Sequence, residues 1–252
     1  MAITHSITDG IAEVVMDNPP VNALPVAGWF ELAEVITSLG HDPAVRVLVL
    51  RAEGRGFNAG VDIKEMQATE GYAALIGANR GCYAAFAAVY DCAVPVIAAV
   101  NGFCLGGGIG LVGNADIIVA AEGTSFGLPE VNQGALGAAT HLARLVPQHK
   151  MRAMVYTSAT ATAAELHHYG SVLEVVEPEL LRETALRIAR QIAEKSPTVI
   201  RAAKESLNGI DPIDVKRSYR FEQGFTFELN LSGVADEHRD AFVAKRDTDV
   251  SE

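Results

Sequence analysis

Two stretches of this 252-residue chain concentrate glycines and small residues where a backbone could bind oxygen. The first is Gly54-Arg55-Gly56-Phe57-Asn58-Ala59-Gly60-Val61-Asp62-Ile63, and the second is Asn101-Gly102-Phe103-Cys104-Leu105-Gly106-Gly107-Gly108-Ile109-Gly110. Each follows an apolar run and leads into a segment that can be helical. Such a junction leaves N–H groups without acceptors, backed by the positive end of a helix dipole. Glycine lets a ligand oxygen approach that backbone closely. One such loop is as readily a turn, but two brought together can hold an oxyanion. Gly108, Gly110 and Gly113 also satisfy G-x-G-x-x-G, yet the dinucleotide fingerprint belongs directly after the first strand of its unit. Here a loop intervenes after Val100 and a hairpin and a further strand come earlier, so a nucleotide fold is set aside.

The elements that must carry these loops are legible from periodicity. Ile3–Ile7 and Ile11–Met16 flank Asp9-Gly10, a two-residue hairpin signal. Pro25 suits the first turn of a helix in which Trp29, Leu32, Ala33 and Ile36 recur at helical spacing. Val45–Leu50 and Val94–Val100 read as strands covered on both faces, and Asp116–Ala121 as another. An Ala-rich helix is expected over 72–90, and 106–111 reads as a loop turning into a short helix. This alternation predicts an α/β core. Beyond Glu177-Pro178, helices are expected over 180–194, 198–207 and 214–230, punctuated by Ser196-Pro197 and Asp211-Pro212. We divide the chain into a core, 1–195, and a C-terminal helical region, 196–252.

Composition narrows the partners. A hydrophobic fraction of 49% and a charged fraction of 20% are those of a compact folded protein. The formal net charge of −11 argues against nucleic-acid binding, which needs clustered basic residues. The longest uncharged apolar run, Cys92–Val100, is too short to span a bilayer. The opening residues carry no secretory signature. The three cysteines at 82, 92 and 104 lack metal-ligand spacing and fit reduced, packed thiols. Cys104, close to the second loop, is a candidate to line a pocket and nothing more. A cytoplasmic protein without a metal or a membrane partner is the expectation.

The strings RAEGRGFNAGVDIKEM, VPVIAAVNGFCLGGGIGLVGNADIIVA and TSFGLPEV, with NPPVNAL before them and AFVAKR after, strongly resemble the crotonase (enoyl-CoA hydratase/isomerase) superfamily. The resemblance covers nearly the whole chain. It implies a spiral of ββα units with a C-terminal helical region that forms a homotrimer or a dimer of trimers. It implies an acyl-CoA thioester substrate, no cofactor beyond its coenzyme A moiety, and a thioester oxygen held by the N–H groups of Val61 and Gly107. Ala23, Ala59, Gly60, Asp62 and Ile63 correspond to positions that cradle coenzyme A. Lys245 corresponds to a basic residue that reaches the nucleotide phosphates, although a solvated surface lysine fits that position nearly as well.

The family pattern breaks at one point. Hydratases of the superfamily use two glutamates, and Gly110 stands in place of one of them, while Glu130 occupies the place of the other. A single carboxylate suits an isomerase shuttling one proton, or an enzyme that activates water against a carbonyl. Within the superfamily, GRGFNAGVDIKEM, GALGAATHLARLVPQH and YRFEQGFTFELNLSGVADEHRDAF resemble hydrolases of late cholesterol and steroid breakdown. These cut a carbon–carbon bond in the cyclopentanone ring of a bicyclic CoA thioester, by a vinylogous retro-Claisen step. That hydrolysis is the leading expectation. A single-glutamate isomerase or hydratase is the second, and a non-catalytic acyl-CoA-binding oligomer the third. Glu130 is the expected base, unless it is a surface or capping carboxylate. Asp62 is read first as a helix N-cap and His141 first as a structural residue; both stand next in line as catalysts. Phe225 and Phe227 are expected in core packing.

Overall fold

The computed structural model describes residues 3–243. Six strands form the main sheet: β1 (Ile3–Thr8), β2 (Ile11–Met16), β3 (Val47–Ala52), β4 (Val96–Val100), β6 (Ile117–Ala121) and β9 (Glu174–Val176). Their order is β1-β2-β3-β4-β6-β9, with only the β1–β2 pair antiparallel. Positive φ at Asp9 (51°) and Gly10 (81°) closes that hairpin, as the Asp-Gly pair predicts. A smaller sheet holds β5 (Phe103–Leu105), β7 (Ser125–Gly127) and β8 (Thr160–Thr162).

Parallel neighbours need crossovers, and helices supply them. They are α1 (Val26–His41), α2 (Ile63–Ala68), α3 (Ala73–Tyr90), α4 (Gly107–Val112), α5 (Ala139–Leu142), α6 (Gln148–Thr157) and α7 (Ala163–Tyr169). After them run α8 (Leu181–Ala193), α9 (Pro197–Gly209), α10 (Val215–Leu231) and α11 (Val234–Val243).

The unbroken apolar run of β3 has a direct cause. Leu48 and Leu50 face one core with Trp29, Leu32 and Phe86, while Val47 and Val49 face a second core with Leu181, Ala185 and Ile188 of α8. Burying one such side chain contributes about 1.5–3 kcal/mol, so a sheet covered on both faces is apolar throughout. Helix α9 is tied to the sheet by Lys204, buried and paired with Asp116 at 2.8 Å. Removing either partner would leave a desolvated charge.

The structure adds elements the sequence did not announce, among them β7, β8, β9, α6 and α7, and it departs from particular expectations as well. Part of the second glycine-rich loop is strand β5, because Phe103 and Leu105 pair with Ser125 and Gly127. Helix α11 follows α10, with Gly233 at φ 84° between them. Phe225 does not reach the core: it is 42% exposed and meets Phe221, itself 72% exposed, edge to face at 5.3 Å. The inward face of α10 is taken instead by Tyr219, Gln223, Thr226 and Asn230.

Candidate active site

The two glycine-rich loops come together, held by buried asparagines. Asn58 accepts from Gly60 N at 2.8 Å and donates to Asn22 O at 2.5 Å, while Asn22 donates to Gly56 O at 2.8 Å. The Asn58 carbonyl accepts from Leu105 N at 2.9 Å, which ties the first loop to β5. Contact is close. A methyl placed on Gly60 would lie 3.1 Å from the Gly107 nitrogen, and one on Gly107 would meet Trp29 at 2.8 Å. Only glycine at both positions permits that approach.

Val61 and Gly107 both present their N–H groups freely. Leu24 N donates to Gly60 O at 2.9 Å and Asp62 N donates to Leu24 O at 3.0 Å. In such a parallel bridge the residue between, Val61, turns its own N–H to the opposite side. Gly107 opens α4, so its N–H precedes the intrahelical ladder. Val61 and Gly107 both line one cavity, together with Glu130, Gly137, Cys82 and Tyr219.

Glu130 lies on a short 3-10 turn, Pro129–Gln133, after β7. A methyl on Gly106 would lie 2.7 Å from Glu130 Oε1, which sets the carboxyl beside the second loop. Its Oε2 is buried without a partner. Burial pushes the carboxyl up to about 8; its own backbone N–H opposes that rise and the Glu222 carboxylate adds to it. A proton acceptor poised near neutrality suits general base work.

Gly110 faces a filled space. A methyl there would lie 2.2 Å from the Phe86 ring, which is itself in contact with Trp29, His141 and Tyr219. No second carboxylate fits at that position. Asp62 accepts from Lys64 N at 2.9 Å and Glu65 N at 3.4 Å and so caps α2. Ala59, Gly60 and Ile63 line the cavity. Ala23 and Asp62 do not; the Ala23 carbonyl accepts from Asn18 Nδ2 at 2.6 Å. Lys245 lies outside the described residues.

His141 is not brought to the cavity. Its ring is 1% exposed, packed 5.1 Å from both Phe86 and Tyr219, with neither nitrogen bonded. Burial, with Arg144 nearby, pushes its pKa down to about 3, so the ring is neutral. Cys82 rather than Cys104 lines the cavity, because Cys104 on β5 turns into the core. Burial pushes both thiols well up, which makes them poor nucleophiles. Among the described residues no His, Cys, Asp or Glu cluster could hold a metal, and no helix is long and apolar enough to cross a membrane.

Sequence reasoning missed Tyr219, Asn79 and Thr226 in the cavity wall, and the half-buried Glu222 behind it. Helical periodicity marks a face but does not say what that face covers. Asn22 and Asn58, like Tyr219, Glu222 and Thr226, lie in strings singled out above, but a string does not say which of its residues faces the site.

Comparison with known proteins bears on this site. The Enoyl-CoA hydratase/isomerase family model matches residues 6–251. The chain belongs to that family. It is 69% identical over 244 residues to the (7aS)-7a-methyl-1,5-dioxo-2,3,5,6,7,7a-hexahydro-1H-indene-carboxyl-CoA hydrolase of Rhodococcus jostii, covering 96% of this chain and 95% of that one. The hydrolase of the same name from Mycobacterium tuberculosis is 67% identical, with 97% and 100% covered. A solved enoyl-CoA hydratase/isomerase from Pseudoalteromonas atlantica superposes with a TM-score of 0.86 at 25% identity, covering 98% of each chain. The α/β fold with its C-terminal helical region is therefore that of the crotonases.

Proposed function

We propose that this enzyme hydrolyses a carbon–carbon bond in the cyclopentanone ring of a fused-ring, indene-type diketone carried as its CoA thioester, a step of steroid breakdown. The observation that carries the reading is one basic carboxyl, with a buried and unpartnered oxygen, beside two free amides, at a site where Phe86 excludes a second acid. The names of the relatives at 67–69% identity describe the same substrate class.

Glu130 takes a proton from water, whose oxygen bonds to the ring ketone carbon. The bond from that carbon to its ring neighbour then breaks, leaving a carboxylic acid. The electron pair passes through the conjugated system to the thioester oxygen, where the Val61 and Gly107 N–H groups hold the charge. The proton on Glu130 returns to carbon as the enolate collapses. Water is the only co-reactant, so the step balances without a further cofactor. Backbone around Ala23, Ala59, Gly60, Asp62 and Ile63, with Lys245, holds coenzyme A in this reading. The assembly is a cytoplasmic homotrimer or dimer of trimers, which sedimentation would measure; the exposed Phe221 and Phe225 are consistent with a covered face.

The test is mass analysis after incubation with the fused-ring thioester and, separately, with crotonyl-CoA. Gain of one water with ring opening on the first, and no turnover of the second, is expected. Turnover of simple enoyl thioesters alone would instead support the single-glutamate isomerase or hydratase. Glu130→Gln should retain CoA-ester binding while losing turnover; full activity in that variant places the base elsewhere.

A further inference from the structure

The wall opposite Glu130 is held from behind. Leu136, Gly137 and Ala138 line the cavity, and a methyl on Gly137 would stand 3.9 Å from Glu130 Cγ. Ala138 is buried at φ 59°, a left-handed conformation that costs a residue with a side chain about 1 kcal/mol or more. It also occupies the N-cap of α5 with no side chain able to cap. Something else must hold this segment.

Helix α10 does so at both ends. The Glu222 carboxylate accepts from Ala139 N at 2.9 Å and from Thr140 N at 3.3 Å, with the Thr140 hydroxyl at 3.5 Å. One turn along, the Thr226 hydroxyl accepts from Leu136 N at 3.2 Å and donates to Leu136 O at 2.7 Å. Five residues are thereby gripped at their first and at their last two positions.

We propose that Glu222 is a positioning residue, which acts through the Ala139 and Thr140 amides to fix the Leu136–Ala138 wall against the reactive carboxyl of Glu130. The inference rests on Glu130 being the base. Burial raises the Glu222 carboxyl and the Ala139 and Thr140 amides draw it back down; in its ionised form it disfavours a second negative charge on Glu130, which adds to the effect of burial. Cys82 on α3 and Tyr219 on α10 also feel the Glu130 charge, His141 on α5 lies behind the Tyr219 ring, and His238 on α11 places its Nδ1 3.2 Å from Asn132 O, two residues along the Glu130 turn. Arg152 and Arg217 share with Glu222 the groove on the far side of the wall.

Two readouts test the proposal in the full-length protein. The first is kcat and KM for ring opening in Glu222→Ala and Glu222→Gln. Displacing a cavity wall by about an ångström lowers kcat on the order of a hundredfold. That loss is expected in Glu222→Ala with a smaller change in KM, and partial recovery in Glu222→Gln, whose amide oxygen still accepts. The second is a carbon-13 NMR titration of the Glu130 carboxyl in the free protein, assigned against Glu130→Gln. Its midpoint should move to lower pH in Glu222→Gln, which loses the charge and keeps an acceptor. Should Glu222→Ala not fold, the glutamine variant carries both arms. Wild-type kcat in the folded variants, or an unmoved Glu130 midpoint, overturns the proposal. Absence of ring opening by the wild-type enzyme overturns the functional reading instead, and the titration then decides the Glu222–Glu130 link by itself.

Discussion

Gly110→Ala tests whether Phe86 has closed the position of the missing acid. The added methyl would lie 2.2 Å from Phe86 Cε2 and Cζ and 2.5 Å from Cε1. Carbon atoms pack at about 3.5–4.0 Å, so more than an ångström must be found. The ring has nowhere to go. It is 2% exposed, edge-on to Trp29 at 5.7 Å, and 5.1 Å from both His141 and Tyr219. Alanine gains about 1 kcal/mol of helix propensity over glycine, whereas overpacking a filled core costs about 1–3 kcal/mol and more for a deep clash. A net loss of about 1–2 kcal/mol is expected. At roughly 2–4 °C per kcal/mol for a chain of this size, Tm falls by about 2–8 °C. The displacement is taken up in part by α4, whose first residue carries the Gly107 N–H, so kcat falls as well. Phe86→Leu in the same chain should relieve the strain, with a favourable coupling of about 0.5–3 kcal/mol in a double-mutant cycle. Differential scanning calorimetry on the four proteins decides the matter. An unchanged Tm in Gly110→Ala, or additive effects in the cycle, would refute the reasoning. By the same geometry Gly110→Glu confers no crotonyl-CoA hydration while Phe86 remains.

Three further outcomes are expected. Gly60→Ala puts a methyl 3.1 Å from the Gly107 nitrogen at a residue with φ 89°, and kcat should fall about 10²–10³-fold with binding of CoA esters largely kept; steady-state kinetics with competitive CoA-ester inhibition checks both. Glu130 holds its proton up to about pH 8 when folded but only to its ordinary value of 4.5 when unfolded, so wild-type stability declines as pH rises from 4.5 to 8. Glu130→Gln should therefore gain on wild type across that window, by on the order of a few kcal/mol in urea titrations, while wild-type kcat/KM rises with pH through about 8. His141 has the opposite sign: folded, it stays neutral down to about pH 3, and its stability is lost as pH falls below 6.5. His141→Leu should flatten that acid decline in a melting series from pH 6.5 to 4 and leave the alkaline activity profile in place.

Much of the scaffold was legible because its signals are local. The Asp9-Gly10 turn, the helical spacing of Trp29, Leu32 and Ile36, and the unbroken apolar β3 all follow from backbone preference and burial period. Short strands β5, β7 and β8 left no such trace, since three residues cannot establish a period. Phe225 was misplaced for a related reason: a helix with aromatic residues on one face and buried polar residues on another does not announce which face turns inward.

At the site the division is cleaner. Sequence alone determined that two glycine-rich loops exist, that Glu130 is present, and that position 110 has no side chain, because these are matters of residue identity. Tertiary structure alone decided that Phe86 fills the space beside Gly110 and that His141 is sealed behind Tyr219. It also decided that Glu222 reaches 82 and 83 residues back along the chain to hold the wall facing Glu130. Those contacts join residues remote in sequence, and which atoms share a volume is set only once the whole core has packed.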